Sequence, residues 1–172
     1  MPIRKFTAGN TTFLTSPAVK LQGPAWQVFK AENVKVVINC MDNLGLAGQP
    51  TPVPYVSANI IETEKWGYIP FYLALQAVQR FGQPAVFHCR AGITRSVTVA
   101  AAVLEALEGQ IPKNQVERTG KKWNTKRFKG KAKLDIAIAR KRVPSDIREF
   151  LKLQLQMPGK SACQVLNALH QV

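Results

Sequence analysis

The chain has 172 residues, the size of one compact domain, and 46% of them are hydrophobic, enough to bury a core without disulfides or structural metal. Its three cysteines, Cys40, Cys89 and Cys163, are odd in number and widely spaced, and His occurs only at 88 and 170, which argues against a zinc site or a disulfide framework and for reduced thiols. The net charge of +14 is uneven: residues 113–142 carry twelve Lys and Arg against two Asp and Glu, a local patch suited to an anionic partner.

The N-terminal stretch through residue 15 reads as polar, with no signal-peptide core, and no apolar run reaches the roughly 20 residues that span a bilayer. A cytoplasmic protein without a transmembrane segment is expected, nuclear too if the source is eukaryotic. Residues 24–32 (PAWQVFKAE) predict a short helix opened by Pro. Residues 34–40 (VKVVINC) predict a buried strand, and 53–58 a second. Between them, Gly45, Gly48 and Pro50 mark a loop.

Residues 66–81 predict a helix with Ile69, Leu73, Ala77 and Phe81 on one face, widened by Leu75 and Val78. Pro70 suits its first turn and Gly82 its end. Then come a short apolar strand at 84–88, a loop at 89–95, and a helix at 96–108 stopped by Gly109. Residues 113–133 are basic and glycine-punctuated, with no steady period. Helices are predicted at 134–141 and 145–155 around Pro144, and 161–169 is a last short helix or a loose terminus. Alternating strands and helices predict an α/β fold. Residues 1–156 are expected to form one domain with a basic segment at about 112–133, and 157–172 a C-terminal extension or last helix.

Residues 87–96 read FHCRAGITRS, placing His88, Cys89, Gly92, Arg95 and Ser96 in the pattern HCxxGxxRS between a predicted strand and a predicted helix. A tight loop there turns successive backbone N–H groups toward one point and makes a nest for an anion. The helix start adds its positive end. Arg90, Ala91, Gly92, Ile93 and Thr94 fill that loop, and Gly92 permits a backbone angle that a side chain resists. Arg95 can grip two phosphate oxygens in a fork that Lys cannot match. In such surroundings a cysteine pKa falls from near 8.5 to roughly 3.5–7.5, which predicts a thiolate at Cys89.

This pattern resembles the signature of the protein tyrosine phosphatase superfamily, a Cys followed by five residues and an Arg. In its HCxAGxxRS form it is most similar to the dual-specificity branch. The resemblance extends over roughly residues 30–111 and 134–156. Rhodanese-like sulfurtransferases share Cys-Arg-x-Gly before Arg-Ser, but their loop is typically one residue shorter. The resemblance implies a central, mostly parallel sheet flanked by helices, and no metal or cofactor. It implies Cys89 as nucleophile through a phosphocysteine intermediate. Arg95 and the loop amides would hold the equatorial oxygens, Ser96 would assist breakdown of the intermediate, and His88 would order the loop. The family's general acid is an Asp about thirty residues before the Cys, held within hydrogen-bond reach of the leaving oxygen. No Asp lies between Asp42 and Asp135, so Glu62, seven residues after Tyr55, is the expected acid, with Glu64 and Asp42 as alternatives.

The expected substrate is a phosphorylated protein, on Tyr or on Ser and Thr, because Ile93 and Thr94 stand where lipid-directed relatives often place Lys. Arg90 keeps phosphoinositides open. The basic insertion keeps an RNA 5′-triphosphate open. The non-enzyme alternative is a module that binds phosphate without turnover. Lys121, Lys122, Trp123, Lys126, Arg127, Phe128 and Lys129 mix cations with aromatics. That mixture suits RNA, an acidic membrane surface, an acidic phosphoprotein, or a merely solvated basic face. Cys40 reads as a packed apolar residue, with a resolving thiol for Cys89 as the alternative.

Overall fold

Short runs of β-branched and aromatic residues assemble into one seven-stranded sheet. The computed structural model describes residues 3–58, 60, 67–92, 94–110, 115–119, 122–124 and 143–171. Its strands are β1 (Arg4–Ala8), β2 (Thr11–Ser16), β3 (Val36–Asn39), β4 (Tyr55–Ser57), β5 (Ala85–His88), β6 (Gln115–Thr119) and β7 (Lys122–Asn124), in the order β4-β3-β5-β2-β1-β6-β7. The first four in that order run parallel. β1, β6 and β7 extend the sheet antiparallel.

The two-residue period of a strand sends alternate side chains to opposite faces. Phe13, Val36, Ile38, Ala85 and Phe87 enter one core, while Leu14, Val37 and Val86 enter the other. The register sets Ile38 beside Phe87 and Phe13 beside Ala85. A parallel block buried on both faces needs helices on both, as the α/β expectation requires. Helix α1 (Ala25–Ala31) brings Phe29 and Trp26 to the second face. Helices α2 (Tyr68–Phe81), α3 (Arg95–Glu108), α4 (Ser145–Gln156) and α5 (Ala162–His170) cover the first. α3 lies against β2 and β5 with α2 and α4 beside it, which is why Val97 and the run from Val99 to Leu104 are buried all round. Ser161 and Gln164 close a reciprocal capping box at the start of α5, so the last helix is ordered.

Three features differ from the sequence reading. The polar N-terminal stretch is a hairpin, β1 and β2, joined by Gly9 and Asn10 with Gly9 at a φ of +55°. The aperiodic basic segment contains β6 and β7. The buried face of α2 is Phe71, Ala74, Leu75, Ala77 and Val78, whereas Ile69 is 51% exposed in the first turn. The stripe Phe71–Ala74–Leu75–Val78 follows the i, i+3, i+4, i+7 spacing and wins because Phe71 carries the largest apolar area inward. The helix predicted at 134–141 lies outside the described residues. Among the described residues, no helix is long and apolar enough to cross a membrane.

Candidate active site

β5 delivers the site. Its neighbours clamp its end on both sides: Cys40 N–H donates to the His88 carbonyl at 2.7 Å, and Cys89 N–H donates to the Ser16 carbonyl at 3.3 Å. The segment after β2 continues along the loop, with Ala18 N–H donating to the Arg90 carbonyl at 3.2 Å. Gly92 sits at a φ of +70°, and a Cβ there would come within 2.7 Å of the Pro17 nitrogen and the Ser16 carbonyl carbon. Those are backbone atoms that cannot swing aside, so both conformation and space require glycine.

The loop runs directly into α3. Thr94 provides no side-chain cap, and no acidic residue occupies the first turn. The amides at this helix start therefore keep their positive end for an anion instead of spending it on a protein carboxylate.

Cys89 and Ser96 are both buried, and the Sγ and Oγ atoms lie 3.3 Å apart. In the thiol form Sγ–H donates to Oγ; in the thiolate form the Ser96 hydroxyl would donate instead. Arg95, only 6% exposed, donates from Nη1 to the Ile60 carbonyl at 3.4 Å and stands 3.8 Å from Asp42 Oδ1. Asp42 is carried on a turn fixed by the buried Asn39, whose side chain accepts from Met41 N–H and donates to the Asn43 carbonyl, both at 2.8 Å. Arg90 and Ala91 are exposed.

His88 is wholly buried, with Nε2 2.8 Å from the Tyr55 hydroxyl. Burial holds its pKa down to about 4, so the ring is neutral at ordinary pH. Burial also pushes the Cys40 thiol well above its ordinary value, and the adjacent Cys89 adds to the effect while Arg95 opposes it. Cys40 is therefore a protonated, packed thiol in this setting.

The residues singled out from sequence, His88, Cys89, Arg90, Ala91, Gly92, Thr94, Arg95 and Ser96, thus meet at one strand-to-helix junction. Ile93, Glu62, Glu64, Lys121, Lys126, Arg127 and Lys129 lie outside the described residues. Lys122 is exposed on β7. Trp123 is already engaged: its indole N–H donates to Glu32 at 2.9 Å, and Lys5 and Arg118 lie 5.2 and 5.8 Å from its ring. It anchors the β6–β7 hairpin, which weakens its reading as a platform for RNA bases. Among the described residues no cluster of His, Cys, Asp and Glu could hold a metal ion. Sequence reasoning missed Arg4, a buried cation whose Nη1 donates to the Gly92 carbonyl at 3.3 Å. No sequence signal pointed to it, since its strand is set by pairing with β2 and β6.

No protein-family model and no curated protein matches the chain. Solved structures do. PTPMT1 is similar at 20% identity over 98% of this chain and 99% of that one, with a TM-score of 0.49; it has also been solved in complex with PI(5)P. TpbA of P. aeruginosa is similar at 18% identity over 84% of this chain and 86% of that one, with a TM-score of 0.49. Human DUSP28 is similar at 17% identity over 84% of this chain and 94% of that one, with a TM-score of 0.46. The α/β assignment rests on this chain's own strand order and core, and the structures it is similar to include a mouse putative dual specificity phosphatase and the PTP-2 phosphatase of Cydia pomonella.

Proposed function

We propose that the chain is a cysteine-dependent phosphatase that hydrolyses phosphomonoesters, with phosphorylated protein as its substrate class. The observation that carries this reading is the seating of Cys89 Sγ 3.3 Å from Ser96 Oγ, in a glycine-locked loop that ends at Arg95 and an uncapped helix start. Each part answers a need of phosphoryl transfer. The Cys89 thiolate attacks phosphorus opposite the leaving oxygen, an S–P bond forms and the P–O bond breaks. Arg95 and the loop amides hold the equatorial oxygens as charge spreads. A carboxylic acid gives its proton to the leaving oxygen. Water then attacks the phosphocysteine, the S–P bond breaks, and the Ser96 hydroxyl stabilises the departing thiolate. Glu62 is the expected acid, with Glu64 and Asp42 behind it, and Asp42 Oδ1 stands 3.8 Å from Arg95 Nη1.

The test is turnover of p-nitrophenyl phosphate in a chelator. Wild type should release nitrophenol, vanadate should block it, and Cys89→Ser should be silent. A leaving-group comparison then assigns the acid among Asp42→Asn, Glu62→Gln and Glu64→Gln. Loss of the true acid should cost phenyl phosphate at least about a hundredfold and the nitrophenyl ester far less. A wild type that binds phosphate yet never turns over the nitrophenyl ester would make the chain a binding module. Phosphopeptides, phosphoinositides and triphosphate-ended RNA offered to one enzyme stock rank the substrate classes.

A further inference from the structure

Two opposite charges are buried on the β1 side of the phosphate loop. Arg4 is 1% exposed and Glu117 is 8% exposed, and they are direct cross-strand partners in the β1–β6 ladder. Arg4 Nε stands 3.9 Å from Glu117 Oε2. Taking such a pair out of water costs several kcal/mol per ion, and well-packed apolar residues in its place are often no less stable. Fold stability is therefore a weak explanation for it.

What the pair touches is more informative. Arg4 Nη1 donates to the carbonyl of Gly92, the one loop residue whose conformation and surroundings exclude a side chain. A donor on a peptide carbonyl polarises that peptide and strengthens its own N–H as a donor. A cation held in a poorly solvated place also attracts a nearby anion more strongly than one in water. Glu117 comes from β6, which lies outside the parallel block. It is pinned there by Arg118 N–H donating to the Ile3 carbonyl at 2.8 Å, and by the Lys5, Trp123 and Glu32 contacts beyond it.

We propose that Arg4 and Glu117 are positioning residues for the phosphate loop: the β6–β7 hairpin holds Arg4 on the Gly92 carbonyl, and the buried cation raises the loop's affinity for a phosphate group. This rests on the reading of the loop as a phosphate site. It gives the β6–β7 hairpin a task at the site.

The experiment measures protection of Cys89 from iodoacetamide by inorganic phosphate in the full chain. Alkylation is read site by site by peptide mass spectrometry, with the exposed Cys163 as internal reference. Far-UV circular dichroism and a thermal melt establish that each variant is folded. Arg4→Met should need about tenfold more phosphate for half-protection, the size expected for a lost charge-assisted hydrogen bond. Glu117→Gln should need about threefold more, because Arg4 loses the carboxylate that orients it. Arg4→Lys, which keeps the cation, should recover most of the loss. Wild-type protection in folded Arg4→Met and Glu117→Gln overturns the inference and leaves the phosphate site standing. If Arg4→Met does not fold, unchanged protection in Glu117→Gln is enough to overturn it. A wild type whose Cys89 reacts equally fast with and without phosphate fails at the earlier step, and the inference falls with the site.

Discussion

The imidazole of His88, wholly buried beside the Tyr55 hydroxyl, is held near pKa 4 by its loss of water. In the unfolded chain a histidine titrates near 6.5. Between those values the unfolded chain binds a proton that the folded chain refuses, so stability must fall as the solution is acidified. The contribution of neutral His88 is complete above about pH 6.5 and is lost progressively as pH falls toward 4. Wild type should lose about 2 kcal/mol between pH 7 and pH 5 from this group alone. His88→Gln, which keeps a polar atom near Tyr55 but cannot titrate, should show a correspondingly shallower decline. Denaturant midpoints at the two pH values read the difference, and parallel declines would remove His88 as the cause. At this scale the sequence was informative where chemistry lies in spacing, as in Cys89, Gly92, Arg95 and Ser96. It was silent on Arg4, because an arginine near the start of a chain gains a role only when pairing of β1 with β2 and β6 brings it under Gly92.

Helix α4 packs Ile147, Phe150 and Leu151 against α2 and α3, with the Phe150 ring 5.0 Å from Tyr68 and 6.4 Å from Tyr72. Gln154 donates to the Tyr72 carbonyl at 3.0 Å, and Arg148 pairs with Glu105 of α3. Phe150→Ala should cost about 3–5 kcal/mol of unfolding free energy, since the ring's burial is lost and a cavity is left in a site fixed from two sides. Ile69→Ala, on the exposed side of α2, should stay within about 0.5 kcal/mol. Chemical denaturation of both separates the helix faces; a large loss at Ile69 would restore the face that periodicity alone favoured. Whereas the last helix, open in the sequence, is settled by its capping box at Ser161, the positions of α2 and α3 were legible because their breakers, Pro70, Gly82 and Gly109, are written locally. The phase of α2 was not, since several apolar stripes fit one rich sequence and only the docking partner chooses. The strands β1, β2, β6 and β7 hid for another reason: they are short and rich in Thr, Lys and Arg, and their stability comes from ladders to distant segments.

The whole chain carries a net charge of +14, and residues 113–142 hold most of the excess. The parallel block was foreseeable from alternating strands and helices, whereas the antiparallel flank of β1, β6 and β7 was not. On the proposed reading, the arrangement separates two kinds of anion recognition. At the loop, where Cys89 and Arg95 are buried, attraction would act over a few ångströms, and mobile ions would screen it weakly. Charge on the surface, such as exposed Lys122, acts through water and is screened beyond a Debye length of about 10 Å at 0.1 M salt. A small ester such as p-nitrophenyl phosphate meets chiefly the first field, whereas an acidic phosphopeptide long enough to reach the hairpin meets both. Raising salt from about 0.02 M to about 0.3 M should therefore lower kcat/KM about tenfold for the acidic phosphopeptide and less than about threefold for the small ester, with most of the peptide's loss in KM. Steady-state kinetics over that range decides the matter. Equal losses for both substrates would mean that the surface charge plays no part in substrate capture, leaving the basic segment to serve another anion.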